Sequence, residues 1–395
     1  MANENEDLNE GLHVVNEEEE EENALDYHQN RMPLSTFYDL VPEERSGHVA
    51  VTCGSYMYIL GGYKNAAVQG YNDFYLPREE LWIYSMETGR WHYIPDLNYS
   101  RSKMFYILKL GTKDKILHWE RVKDFKGVPP SPKDKLGCWV YKNKLIFFGG
   151  YGYQPREQYH GSFEFDESSF WNASHPRGWN NHVHFIDLET FTWYQPITKG
   201  KAPSPRAAHA CATIGNQGYV FGGRYQDART NDLYYLDLDT WEWNEVIQSP
   251  DQIPVGRSWH SLTTISNDHL FLFGGFTTDK QPLSDAWIYS VSKNEWLKVE
   301  HQYSDRPRLW HSACTSNEAE VIVFGGCANN LLARQQAAHS NDILIFSVQP
   351  KSLVGLCLEA VIHYKEMLAH IWDCLPKHLL LNINQRAGSS NTSGS

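Results

Sequence analysis

The sequence holds no apolar run near the roughly 18 residues that a membrane-crossing helix requires, so no membrane span is expected. Positive charge is the scarcer sign: 35 Lys and Arg against 48 Asp and Glu leave a net charge of −13. That balance argues against a general nucleic-acid or anionic-membrane surface, and neither is expected among its partners. Cysteines number seven, an odd count without paired spacing, and the opening from Met1 to Asp7 is polar and acidic rather than basic and then apolar. The expectation is reduced thiols in a protein of the nucleus and cytoplasm. Also missing are a phosphate-binding glycine loop, a Cys/His cluster at metal spacing and a Gly-x-Ser-x-Gly elbow. No catalytic residue, metal or cofactor is therefore expected.

What the 395 residues do contain is 28 Gly, 14 Trp and 14% aromatic side chains, with Val, Tyr and Phe gathered in short runs. Such a composition suits one large all-β domain. Residues 1–33 are polar, carry the acidic run Glu17 to Glu22, and are expected to form a disordered tail. Residues 34–350 carry a repeat, 351–383 change to helical periodicity, and 384–395 read as a flexible tail.

The repeat is legible by eye. Lys133 to Val140, Arg206 to Cys211, Arg257 to Leu262 and Arg308 to Ala313 align, and Arg45-Ser46-Gly47-His48 begins a fifth copy. Each runs into an apolar stretch ending in a double glycine, at Gly61-Gly62, Gly149-Gly150, Gly222-Gly223, Gly274-Gly275 and Gly325-Gly326. A loop, an alternating strand and a closing Trp follow, at Trp91, Trp193, Trp243 and Trp296. This order resembles the kelch repeat, in which four antiparallel strands form one blade of a β-propeller. The double glycine lets the second strand turn sharply near the crowded centre, and the Trp fills space between blades.

Blade accounting exposes one irregularity. Trp193 and Trp243 stand 50 residues apart, but Trp91 and Trp119 only 28, with no double glycine between them. The segments Phe105–Leu108 and His118–Val122 look like the outer two strands of a second blade without its inner pair. The expected fold is a kelch propeller of six blades, the second truncated, with a C-terminal helical tail; five complete blades plus an irregular insert is the alternative. The last repeat lacks its fourth strand, which Ser35 to Val41 is expected to supply.

In such a blade the loop entering the first strand and the loop leaving the second share one rim. Residues common to all blades serve the fold, so His48, His209, His260 and His311 read as structural, as do Arg45, Arg206, Arg257 and Arg308. Departures are the functional candidates. The position after the double glycine reads Tyr63, Tyr151, Arg224, Phe276 and Cys327, and Arg229 lies five residues beyond Arg224. The position two after the recurrent Arg or Lys reads Gly47, Lys135, Ala208, Trp259 and Trp310, with Ser258 beside Trp259. A long loop after Gly150 adds Tyr153, Trp171 and Trp179. Two arginines among aromatics suit a carboxylate at a peptide end. Surface arginines paired with Asp227 or Asp232 are the plain alternative. A propeller enzyme would need inward acids or metal ligands, and the rim segments carry mostly Arg, Lys, Tyr and Trp.

After Pro350, Leu353, Leu356, Cys357, Ala360, Val361 and Tyr364 recur at helical spacing. The pattern Leu353-x-x-x-Cys357-x-x-x-Val361 resembles an elongin-binding box, and Leu375-Pro376-x-x-Leu379-Leu380 resembles a cullin-2 box. With the propeller, and the runs Tyr75–Tyr84, Ser174–Asn180, Phe276–Asp285 and Gly326–Leu332, the chain resembles the kelch substrate receptors of cullin-2 RING ubiquitin ligases. The resemblance implies a non-catalytic receptor that binds substrate proteins ending in Gly-Gly. Arg224, Arg229 and Ser258 would hold the terminal carboxylate; Tyr63, Lys135, Tyr151, Trp179 and Trp259 would line the pocket. Elongin B/C (through Leu353, Cys357 and Val361), cullin-2 (through Leu375 and Pro376) and a RING-box subunit would be its partners. The chain's own end, Ser393-Gly394-Ser395, is expected to permit self-association through its own or a neighbour's pocket. The runner-up is a kelch scaffold binding a folded partner such as a transcription factor, without ubiquitin transfer.

Overall fold

The computed structural model describes residues 40–65, 73–77, 80–94, 105–110, 117–122, 124–169, 176–249, 252–317, 320–333, 336–350, 353–377, 379–380 and 383–384. The strands fall into blades in the expected order. Blade 1 pairs Val49–Cys53, Tyr56–Leu60, Leu81–Ser85 and Arg90–Ile94 in sequence. Blades 3, 4 and 5 repeat that antiparallel path with first strands Gly137–Tyr141, Ala210–Ile214 and Ser261–Thr264. Blade 6 has three strands, Ser312–Thr315, Glu320–Phe324 and Ile343–Ser347. Of the expected closing segment Ser35–Val41 only Leu40 and Val41 fall within the described residues, and neither is in a strand. The tails 1–33 and 385–395 lie outside them.

The double glycines exist because two blades meet there. In each pair both residues have positive φ, +63° to +65° at the first and +88° to +110° at the second, a conformation L side chains rarely adopt. A Cβ on Gly149 would stand 2.8 Å from His209 Cε1 and 2.9 Å from the Arg206 carbonyl oxygen, both of the next blade. Gly222 meets Arg257 and His260 in the same way, Gly274 meets Arg308 and His311, and Gly325 meets Arg45 and His48. The recurrent histidines thus fit into the preceding blade.

Each recurrent arginine is buried and spans its own blade. Arg206 donates to both Asp232 carboxylate oxygens at 2.7 Å and to the Gly222 carbonyl at 2.9 Å. Arg257 does the same with Asp285 and Gly274. Burial works to raise the Asp232 and Asp285 carboxyls, but their guanidinium partners outweigh it and hold both below the usual range. Blade 3 substitutes Lys133, which donates to Asn180 at 3.0 Å and whose ammonium burial lowers to about 8.

A belt of backbone hydrogen bonds joins the blades at the five rim residues two positions after the recurrent Arg or Lys. Ala208 N–H donates to the Lys135 carbonyl, Trp259 to Ala208, Trp310 to Trp259, and Gly47 to Trp310, at 2.7–3.0 Å. All five sit at φ of +55° to +66°. The left-handed turn aims each N–H at one neighbour and each C=O at the other.

Blade 2 interrupts this pattern, as expected. Among the described residues it is one hairpin, Phe105–Leu110 with Leu117–Val122. Leu108 and Leu110 pack on Tyr58, Leu81 and Ile83 of blade 1, so the hairpin occupies the outer half of a blade position. Among the described residues no strand fills the inner half. Ala210, Ala212 and Ile214 face blade 5 and are 8–9% exposed, whereas Val49 and Val51, their blade 1 counterparts, are 62% and 56% exposed. Val140 on the facing side of blade 3 is 63% exposed.

The histidines make stability pH-dependent. Burial, with a nearby arginine, lowers the His48, His209 and His311 imidazoles to about 3. Their folded values lie below the unfolded 6.5, so the unfolded chain binds more protons between these limits and stability falls as pH drops below 6.5. Each should cost on the order of 2 kcal/mol at pH 5 relative to pH 7.5. Urea denaturation across pH 7.5 to 5 measures the slope, which a His311→Gln variant should flatten; a flat parental curve would refute the assignment.

Candidate functional site

Rim positions from five blades converge on the mouth that the fold builds above the belt. Trp259 and Trp310, adjacent in the belt, stack at 5.2 Å between ring centroids with planes 15° apart. Tyr63 meets Trp310 edge-on at 5.3 Å, and Lys135 Nζ lies 5.5 Å from the same indole and 6.0 Å from Tyr151. Tyr151 packs edge-on against Trp179 at 5.3 Å, and the Arg224 guanidinium lies 5.9 Å from Trp179. Arg224 pairs across its hairpin with Arg229, whose Nε donates to Ser258 Oγ at 2.9 Å. Through Phe276, which lies 4.8 Å from the Arg229 guanidinium and 5.8 Å from Trp259, the circuit returns to its start. All eight residues expected on the rim belong to this one constellation. A cavity of about 160 Å³ beneath it is lined by Lys135, Leu136, Ala208, Trp259, Trp310 and the imidazoles under them.

The two arginines are in different states. Arg224 is half-exposed; its Nε donates to the Gln226 carbonyl, and Asp227 stands 3.9 Å away with its carboxylate in solvent. Arg229 is 9% exposed, and among the described residues no carboxylate lies within ion-pair distance of it. Burial lowers its guanidinium to about 10, Arg224 adds to that effect, and Asp227 opposes it. The expected alternative partner, Asp232, is taken by Arg206. A desolvated cation beside a second cation and a buried hydroxyl favours an anionic guest.

The long loop after Gly150 does more than lengthen the rim. Phe163–Phe165 joins Lys133–Asp134, Tyr151–Tyr153 and Arg177–Asn180 as a four-stranded sheet of its own. That sheet carries Trp179 to the mouth, where Tyr225 closes on its far side at 5.8 Å. Tyr151 is fixed by donating to Asp166 at 2.9 Å, and burial, then Asp166, push its phenol up to about 12. Trp171 lies outside the described residues. Sequence reading named Phe276 and Trp310 in the aligned rim columns but did not count them in the pocket lining; the structure places both in the constellation.

The C-terminal segment forms the helix Leu353–His363, followed by Lys365–Leu368 and a 3-10 turn Ala369–Cys374. Leu353 is 76% exposed and Cys357 is exposed, while Gly355 and Leu358 are buried on another face. Val361 and Leu375 are half-buried and Pro376 is exposed. The apolar stripe of the expected box therefore faces outward at its start rather than forming core.

Residues 173–326 and 246–356 match the family described as KLHDC2/KLHL20/DRC7 Kelch-repeats domain, and residues 44–98 match the kelch motif. The chain is 66% identical to kelch domain-containing protein 2 of Bos taurus over 381 residues, covering 90% of this chain and 93% of that one. Identity to the Homo sapiens protein of that name is also 66%, over 380 residues with the same coverages. Identity to kelch domain-containing protein 1 of Homo sapiens is 43% over 372 residues, 87% of this chain and 90% of the relative.

The recurrent and the unique arginines should separate by denaturation. Arg206→Ala leaves the half-buried Asp232 carboxylate without its partner and should cost about 3 kcal/mol in urea unfolding. Arg229→Ala removes an unanswered charge and should change stability by less than about 1 kcal/mol. A loss at Arg229 as large as that at Arg206 would mean that Arg229 belongs to the scaffold.

Proposed function

The chain belongs to the kelch-repeat family of kelch domain-containing protein 2 and is a kelch substrate-binding protein; from that premise we propose that its mouth receives the C-terminal end of other proteins for a cullin-2 RING ubiquitin ligase. The observation that carries this reading is Arg229, a mostly buried guanidinium tied to Ser258 and facing no carboxylate of its own among the described residues. A chain terminus brings the missing charge. Its carboxylate can accept from Arg229, Arg224 and the Ser258 hydroxyl together, in planar geometry that a guanidinium matches. Glycine at the last two positions lets the peptide backbone approach the aromatic walls of Tyr63, Tyr151, Trp179 and Trp259 without a Cβ between. Lys135, between Tyr151 and Trp310 and paired with Asp134 at 2.9 Å, offers a further hydrogen-bond donor.

The tail supplies the other half of the reading. Leu353, Cys357 and Val361 follow one another at helical four-residue spacing, so a groove on elongin C can take them as one stripe. Leu375 and Pro376 after the helix would then engage cullin-2, and a RING-box subunit would complete the ligase. The nucleus and cytoplasm are the compartments in which such a complex would act. Ser393-Gly394-Ser395, outside the described residues, is a small-residue end that could compete weakly for the same mouth in its own or a second copy.

Two measurements test the halves independently. In fluorescence polarisation, a peptide ending in Gly-Gly should lose at least about 2 kcal/mol of affinity on amidation, and similarly with Arg229→Ala or Arg224→Ala. Equal binding of acid and amide would overturn recognition of a chain end and favour a scaffold for a folded partner, such as a transcription factor. In co-purification, Leu353→Ala with Cys357→Ala should abolish elongin B/C capture while the melting temperature stays within a few degrees of the parent. Undiminished capture would remove the ligase assignment.

A further inference from the structure

Arg229 belongs to blade 4 by sequence, but its polar contacts come from blade 5. It lies near the tip of the hairpin formed by Gln217–Tyr225 and Ala228–Asp237. Its N–H points away from that hairpin and donates to Thr278 Oγ1 at 2.9 Å. Its Nε donates to Ser258 Oγ, also at 2.9 Å, and Phe276 lies beside the guanidinium. Two residues further on, the Asn231 amide donates to the Pro254 carbonyl at 3.3 Å. Residues 229–231 therefore run along the segment 254–258 that enters blade 5.

That closeness leaves a mark in the sequence. The residue before the recurrent Arg or Lys is Glu44, Pro132, Pro205, Gly256 and Pro307 in chain order, so blade 5 alone of the five has glycine there. Gly256 has no positive φ that would call for glycine. A Cβ on it would instead overlap the Arg229 carbonyl oxygen and stand 3.0 Å from the carbonyl carbon. An approach that close leaves no room for a side chain. The glycine that sets blade 5 apart thus faces the arginine that sets blade 4 apart. The turn carrying Thr278 is itself held firmly. Thr277 N–H donates to the Gln281 carbonyl and Lys280 N–H to the Thr277 carbonyl, both at 3.0 Å, and Gln281 N–H donates to Thr277 Oγ1 at 3.1 Å.

We infer that Gly256 and Thr278 are positioning residues for the carboxylate that the mouth receives. Blade 5 grips the Arg229 backbone on its C=O side through Gly256 and on its N–H side through Thr278, and so aims the guanidinium. The inference rests on the proposed recognition of a chain end. With Nε committed to Ser258, the edge formed by the two Nη groups is what remains for planar, bidentate pairing with a carboxylate. Ser258 Oγ accepts from Nε, so its own proton is available to the same guest. A small shift of the strand would spoil this alignment while leaving the charge in place. Neither Gly256 nor Thr278 acts on the guest directly.

A double-mutant cycle reads the effect by fluorescence polarisation, with acid and amide forms of one peptide ending in Gly-Gly. Thr278→Val should bind the acid form about threefold or more weakly than the parent, and Gly256→Ala about tenfold or more weakly. Binding of the amide form should change by no more than about twofold. Thr278→Ser keeps the hydroxyl and should restore parental affinity. In an Arg229→Ala chain neither substitution should weaken the acid form further, because its effect passes through that guanidinium. If the parent prefers the acid and both variants keep that preference intact, the inference falls while chain-end recognition stands. A parent that binds acid and amide equally would overturn both. A loss shared by the amide form, or an undiminished loss in the Arg229→Ala chain, would assign the two residues to the general scaffold and likewise overturn the inference.

Discussion

The structure depends on one repeated contact, in which the start of each first strand is clasped by the blade before it. Three groups act together there. The arginine guanidinium crosses its own blade to a carboxylate and a glycine carbonyl, which fixes the strand's entry. The arginine's own carbonyl accepts from the second glycine of the preceding blade, as Arg206 does from Gly150 and Arg308 from Gly275. The imidazole three residues on fills the space that a Cβ on the first glycine would occupy. No blade could bury these groups alone. The arginine carbonyl and, at His48, His260 and His311, the imidazole Nε2 find their partners in the preceding blade, so these bonds form only when the ring is assembled, which makes assembly cooperative.

Because closure is entrusted to that contact, the mouth is free to carry chemistry. The rim residues hold one backbone geometry, while their side chains are glycine, lysine, alanine and tryptophan. Arg229 contrasts with the recurrent arginines in this respect. They are buried with carboxylates in fixed geometry; it is buried with a hydroxyl and another cation. The same residue type thus serves the scaffold in four blades and leaves an unanswered charge at one point on the rim.

Much of this was legible in the chain because the repeats are their own control. Aligning five copies separated Arg206 from Arg224 and His209 from Trp259 without a structure. The truncated second blade followed from Trp spacing alone, and its outer-half position agrees with Leu108 and Leu110 packing on blade 1. Less was readable where the cause lies between blades. The double glycine reads in sequence as a device for turning, whereas its first position also makes room for a histidine of the next blade. Phe276 and Trp310 occupy positions that a single repeat cannot mark as rim or core, since burial there is decided by the neighbour. The small sheet built by the Gly150 loop was unreadable for another reason: its strands are two to four residues long, too short for periodicity to register.

The left-handed belt has a consequence for how such a receptor can diverge. Its hydrogen bonds use only main-chain atoms, so the lineage can exchange the side chains that point into the mouth without reopening the ring. Lys135 and Ala208 already occupy neighbouring seats with equal φ of +55°. The freedom is not uniform, however. A Cβ on Gly47 would lie 3.0 Å from the Trp310 indole, so bulk gained at one seat must be surrendered at the next. Specificity at this mouth should therefore drift by paired exchanges between adjacent seats, with the backbone beneath them as the fixed inheritance.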